Sequence, residues 1–84
     1  MSEDLLKLRD EIDRIDSNIA DLFIKRFGIV RQMGEYKKNN GIKIIDKIRE
    51  KEIMNNISQN FGLDKRFVKR IYSLIFKESR RLEK

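Results

Sequence analysis

The sequence predicts an all-α protomer of three helices with a long first helix, and three observations carry that expectation. Proline is absent and Val, Thr and aromatic residues are sparse, which disfavours strands. Apolar residues recur at alternating three- and four-residue steps, the period of a helix face. The rhythm stops at Asn39–Asn40–Gly41 and again at Gly62, residues that suit helix ends.

The first helix runs from about Asp4 to Lys38. Leu5, Leu8, Ile12, Ile15, Ile19, Leu22, Ile29, Met33 and Tyr36 form a heptad-like seam along about 50 Å of helix. Its start is acidic (Ser2, Glu3, Asp4) and its end basic (Lys37, Lys38), as the helix dipole favours. Gly41 supplies a left-handed cap, and Ile42–Lys43–Ile44–Ile45 is a short connector. Asp46 caps a second helix reaching about Asn60, with Ile48, Ile53, Ile57 and Phe61 apolar. Gly62 ends it, and Asp64 caps a third helix with Phe67, Val68, Ile71, Leu74, Ile75 and Leu82 as its stripe.

Eighty-four residues allow one domain, residues 1–84, with a core too thin to stand without a stapling device. With no Cys or His, disulfides and the usual zinc ligands are unavailable, so oligomerisation is the device that remains. The longest apolar runs, Leu22–Phe23–Ile24 and Leu74–Ile75–Phe76, fall far short of the roughly 20 residues of a membrane span. A soluble cytoplasmic protein is the expectation. A net charge of +6 favours an anionic partner without choosing among nucleic acid, membrane surface and small polyanion.

Several charges sit on faces where apolar residues are due. Arg26 interrupts the seam between Leu22 and Ile29, and Ile19, Phe23, Arg26, Val30, Met33 and Lys37 share one face. Arg26 and Lys37 point the same way, about 16 Å apart along the axis. Two buried cations would be costly alone, so an anion should meet them. Other readings stay open: Arg26 as a coiled-coil register residue or a snorkelling stem, Lys37 as a surface lysine complementing the helix dipole. Asp46, Arg49 and Glu50 share one side of the first turn of helix 2, where a cap with an ordinary surface ion pair would also account for them. Ser79 and Glu83 line up with Val68, Tyr72 and Ile75, unless the C-terminus frays. The set holds cations and hydrogen-bonding groups but no nucleophile–base pair, Gly-rich phosphate loop or clustered metal ligands. Such a pocket suits a small dianion.

Leu8-Arg9-Asp10-Glu11-Ile12-Asp13-Arg14-Ile15-Asp16, Lys25-Arg26, Gly34-Glu35-Tyr36-Lys37, Asp46-Lys47-Ile48-Arg49-Glu50 and Glu78-Ser79-Arg80 occur in this order. Together they closely resemble the all-helical chorismate mutase family over about Leu5 to Glu83. The resemblance implies an intertwined, antiparallel helical homodimer with two shared sites that rearranges chorismate to prephenate, toward phenylalanine and tyrosine, with no metal and no cofactor. It also implies roles. Arg9 of the partner chain would join Arg26, Lys37 and Arg49 in holding the two carboxylates and the ether oxygen. Asp46 and Glu50 would orient and bond the ring hydroxyl, and Ser79 would help hold a carboxylate. The residue bonding the ether oxygen from the end of helix 3 is usually Gln in that family, whereas here it is Glu83.

Geometry independent of the family fits a crossed site. Arg9 and Arg26 are separated by about 25 Å along one helix and point roughly 100° apart, so one chain cannot close both on one small ligand. An antiparallel helix pair would bring them together. The [3,3] rearrangement implied needs only a compact, chair-like substrate and stabilised negative charge on the ether oxygen. Guanidinium forks suit the first task, Lys37 and a donor at position 83 the second. Because a carboxylate only accepts, Glu83 helps only when protonated, so activity should be highest at acidic pH. Two other functions compete. An isochorismate-pyruvate lyase shares the fold, but the Asp46-x-x-Arg49-Glu50 opening looks more like the mutase pattern. A nucleic-acid module would use solvent-facing cations such as Lys65, Arg66, Lys69, Arg80 and Arg81, for which solubility is sufficient explanation. Neither nucleic acid nor membrane is expected as a partner.

Overall fold

Each helix begins where a short polar side chain can take up an orphaned backbone N–H. In the computed structural model, which describes residues 2–84, Ser2 Oγ accepts from the Leu5 amide at 3.3 Å and opens α1, Glu3–Asn39. Glu3 and Asp4 lie in its first turn, and Lys37 and Lys38 in its last. Asn40 closes α1, and Gly41 follows at φ 63°. The Ile42 amide reaches back to the Lys37 carbonyl at 2.9 Å and the Gly41 amide to that of Lys38 at 3.5 Å. That pair of bonds is a Schellman stop, and its left-handed position is where a side chain would be strained.

Asp46 Oδ1 accepts from the Arg49 amide at 3.0 Å and opens α2, Lys47–Phe61. Gly62, at φ 65°, ends it. Asp64 Oδ1 then accepts from the amides of Arg66 at 2.7 Å and Phe67 at 3.1 Å, opening α3, Lys65–Glu83. The predicted boundaries therefore hold to within a residue or so, because every one of them rests on a local cap.

Helix α3 packs on both α1 and α2. The buried apolar residues are Val30 of α1 and Val68, Ile75 and Phe76 of α3, and Gly34 of α1 is buried with them. Arg26 lies opposite Phe76 and Ser79, while Gly34 and Lys37 lie opposite Glu83, so α1 and α3 run in the same sense where they meet. Tyr72 leans on Phe76 with ring centroids 5.6 Å apart. Of the stripe expected on α3, Val68 and Ile75 are buried, but Phe67 and Leu74 are exposed in the single chain.

The N-terminal part of the α1 seam stays largely uncovered by the described residues. Leu5, Leu8, Ile12, Ile15, Ile19 and Leu22 keep 39–61% of their surface exposed. The radius of gyration is 16.5 Å, against about 12 Å for a compact chain of this length. The longest dimension, 57 Å, is set by α1. No helix among the described residues is long and apolar enough to cross a membrane.

Asp64 satisfies two amides at once, so Asp64→Ala should destabilise the protein by about 1–2 kcal/mol. Thermal unfolding followed by circular dichroism should show a Tm lower by several degrees; an unchanged Tm would mean that the cap contributes nothing.

Candidate active site

The residues singled out on three separate stretches of sequence come together around one cavity of about 230 Å³, a volume on the scale of a small molecule. From α1, Arg26, Val30, Met33 and Lys37 follow one another at helical spacing along its wall. The connector adds Ile44, the first turn of α2 adds Asp46, Arg49 and Glu50, and α3 adds Phe76, Ser79, Arg80 and Glu83. Seven of the eight expected site residues thus share one cavity. Arg9 does not: it lies in a shallow depression with Leu5, Leu8, Ile12 and Asp13 near the other end of α1.

Arg26 is held by neutral groups. Its Nη1 donates to Ser79 Oγ at 2.9 Å, and its guanidinium stands 6.0 Å from the centre of the Phe76 ring. Ser79 Oγ spends its own proton on the Ile75 carbonyl at 2.7 Å, which leaves its lone pairs for Arg26. Among the described residues, no carboxylate contact offsets the positive charge of Arg26. A snorkelling stem with its head in solvent does not fit that placement.

Lys37 is not a surface lysine. Its Nζ donates to the Ile44 carbonyl at 3.0 Å and to Glu83 Oε2 at 2.8 Å. Glu83, the last residue of α3, retains only 8% exposure, so the end of the helix is not frayed into solvent. The approach of α3 to α1 at this point depends on Gly34. A Cβ there would stand 2.7 Å from both the Cα and the carbonyl oxygen of Glu83, too close for any real side chain. The missing methyl lets the two backbones nearly touch, and the Lys37–Glu83 bond forms one turn further along.

At the mouth of α2, Asp46 serves as the cap, with its Oδ1 on the Arg49 amide. Arg49 lies on the cavity rim with its Nη1 3.4 Å from Glu52, an exposed pair. Glu50 points elsewhere than to Arg49. Both of its oxygens accept from Arg80 Nη2, at 2.6 and 2.7 Å, and Lys47 Nζ stays 3.7 Å away.

Arg80 corrects the sequence reading, which grouped it with Arg81 among solvent-facing cations. Arg81 does pair on the surface with Glu78, whose carboxyl is held below its usual range chiefly by the hydrogen bond from Arg81. Arg80, one residue earlier, turns inward and lines the cavity. The signal for this was Phe76: Arg80 follows it at i+4, so burying Phe76 brings Arg80 to the same face. The Ile44 carbonyl was also missed, since a backbone acceptor leaves no mark on composition.

The arrangement can bind and orient an anionic molecule and place donors along it. It offers no paired nucleophile and base. The sequence profile of the family described as Chorismate mutase type II matches residues 8–84. The chain belongs to the chorismate mutase type II family. Among curated relatives, it is 38% identical over 79 residues to the bifunctional chorismate mutase/prephenate dehydratase of Buchnera aphidicola subsp. Schizaphis graminum, covering 90% of this chain and 20% of that protein. It is 30% identical over 93 aligned residues to the chorismate mutase of Methanocaldococcus jannaschii, covering all of this chain and 88% of that protein. The T-protein of Enterobacter agglomerans is 37% identical over 54 residues, 64% of this chain and 14% of that protein. The chain thus spans about a fifth of the length of the bifunctional Buchnera relative and most of the length of the Methanocaldococcus chorismate mutase. No solved structure matches it significantly.

In this member of the chorismate mutase family, Gly34→Ala should force α3 away from α1 and cost about 1–3 kcal/mol in urea unfolding, as overpacking does. Gly28→Ala, whose Cβ meets nothing within 4 Å, should be neutral or stabilising, by up to about 1 kcal/mol from helix propensity. Equal effects at the two glycines would remove the close-approach argument.

Proposed function

We propose that this chain is a chorismate mutase, a single domain over residues 1–84 that converts chorismate to prephenate in phenylalanine and tyrosine biosynthesis. It works in the cytoplasm, without metal or cofactor, as an intertwined antiparallel homodimer. The observation that carries this reading is the single cavity shared by Arg26, Lys37, Asp46, Arg49, Glu50, Ser79 and Glu83 in a member of that family. Loss of chorismate and appearance of prephenate with purified protein is the test. A rate no faster than the uncatalysed one would end the proposal.

The substrate does the bond chemistry itself: one C–O bond breaks as one C–C bond forms, within the same molecule. The protein supplies conformation and charge. Arg26 and Arg49, with Arg9 of the partner chain, grip the two carboxylates and hold the ring and side chain in contact. Ser79 supports the Arg26 grip, and Asp46 and Glu50 accept from the ring hydroxyl. Lys37 donates to the ether oxygen as negative charge grows there, with Glu83 beside it. Only contacts stronger in the transition state than in the bound substrate raise kcat. Lys37→Ala should therefore lower both kcat and kcat/KM, by about 3 kcal/mol or roughly a hundredfold. A loss confined to KM would remove Lys37 from the ether oxygen.

The dimer is supported by the bare apolar seam, the elongated shape and the separation of Arg9 from the cavity. Paired antiparallel, two copies of α1 would cover each other's seams and carry each Arg9 toward the other chain's Arg26. Sedimentation should give twice the 10.1 kDa chain mass. Mixing Arg9→Ala with Arg26→Ala protomers should regain activity, since half of the sites in a heterodimer would be intact. A fully active monomer, or no recovery after proven subunit exchange, would refute shared sites.

Glu83 is where this chain departs from the commoner Gln, and it is buried against Lys37. As the acceptor of the Lys37 bond it offers the ether oxygen no donor, which a Gln amide would. Glu83→Gln should therefore raise kcat/KM near pH 8. An unchanged or lower rate would exclude a need for a donor at position 83.

A further inference from the structure

We propose that Arg80 is a positioning residue for Glu50: it offsets the Glu50 charge and fixes its carboxylate, so that a cavity for a dianion can keep a carboxylate as an acceptor. The inference rests on the mutase reading for the ligand, but its basis is the wall of the cavity itself.

A carboxylate is an awkward neighbour for an anionic ligand. Glu50 lines the same cavity as Arg26 and Lys37 and is only 16% exposed, so water screens it poorly. Uncompensated, it would repel the molecule that those cations attract. Arg80 removes that conflict. Its Nη2 meets both Glu50 oxygens, at 2.6 and 2.7 Å, across thirty positions of sequence and from a different helix. Among the described residues nothing else approaches as closely: Lys47 stays 3.7 Å away and largely in solvent.

The contact is made by one nitrogen: Nη2 alone donates to both Glu50 oxygens, while Arg80 Nε is buried without a partner among the described residues. Two short charge-assisted bonds hold the carboxylate in one orientation. Arg81, the next residue, shows the alternative, a solvated pair with Glu78 on the same helix. With Arg80 on one side, each Glu50 oxygen still has lone pairs available for a neutral hydroxyl. Arg80 therefore works through Glu50 and touches no reacting atom.

The test is a double-mutant cycle on the full chain, with wild type, Arg80→Met, Glu50→Gln and the double variant. Each is assayed with chorismate and checked by thermal unfolding. Arg80→Met should lower kcat/KM by about tenfold or more, chiefly through KM, because an unpaired carboxylate now opposes binding. In the Glu50→Gln background the same change should cost no more than about twofold, since an amide has no charge to offset. Arg80→Lys, which keeps the charge on a shorter side chain, should recover part of the KM. If Arg80→Met does not fold, Arg80→Lys takes its place in the cycle. If Glu50→Gln turns over too slowly to time, calorimetric titration with prephenate gives the same four-way comparison as Kd values. Equal losses in both backgrounds overturn the inference alone, as does a KM loss that comes only with a matching fall in Tm, which a mere clamp between α2 and α3 would give. Absence of chorismate turnover by the wild type overturns the mutase reading and this inference with it.

Discussion

Helix α1 has 37 residues, while α2 and α3 have 15 and 19. That mismatch of length governs the molecule. At 1.5 Å per residue, α3 can accompany α1 for only about half its course, and it does so along the C-terminal half, from Arg26 to Lys37. What α1 contributes to an enclosed wall is therefore there: the buried Val30, the buried Gly34 and its side of the cavity. The other half of α1 carries apolar residues that the described residues leave largely exposed. A helix in that state draws little stability from its neighbours, which is why the proposed second chain accounts for so much of the sequence.

Within the cavity, most charges are already answered before any ligand arrives. Lys37 is on Glu83, Glu50 is on Arg80, and Asp46 is on the Arg49 amide; among these described residues Arg26 rests on a hydroxyl and an aromatic ring. Internal pairing of this kind holds long side chains in place and limits the rotamer entropy lost when a ligand binds. It also makes binding an exchange, in which ligand oxygens compete with protein oxygens for the same donors. Arg26 is the exception and the natural first contact for an anion.

How much of this could be read from the sequence depends on how far each signal had to reach. Helix ends were legible almost to the residue because Asp46, Asp64, Gly41 and Gly62 act on their immediate neighbours. Arg26 and Lys37 were legible because a charged residue breaks an apolar rhythm on its own helix. Arg80 was not. Nothing near it in sequence distinguishes it from Arg81, and its partner is thirty positions away on another helix. The close approach at Gly34 was equally hidden, since a glycine inside a helix looks the same whether its missing side chain matters or not. Phe67 and Leu74 failed in the opposite direction: the helical stripe was seen, but the single chain does not bury all of it.

The unbroken course of α1 also limits how a lineage carrying it can change. An insertion in a loop is absorbed by the loop, and the turn at Gly62–Leu63, which does not line the cavity, could take one with less disturbance. A residue inserted between Arg9 and Arg26 has nowhere to go. It turns everything beyond it by about 100° and moves it 1.5 Å along the axis, swinging the apolar seam and the site cations out of register together. Seven residues would nearly restore the facing, but only by lengthening the rod by about 10 Å. Substitutions can accumulate along this helix while its length stays constant, and changes in chain length should collect in the connectors instead.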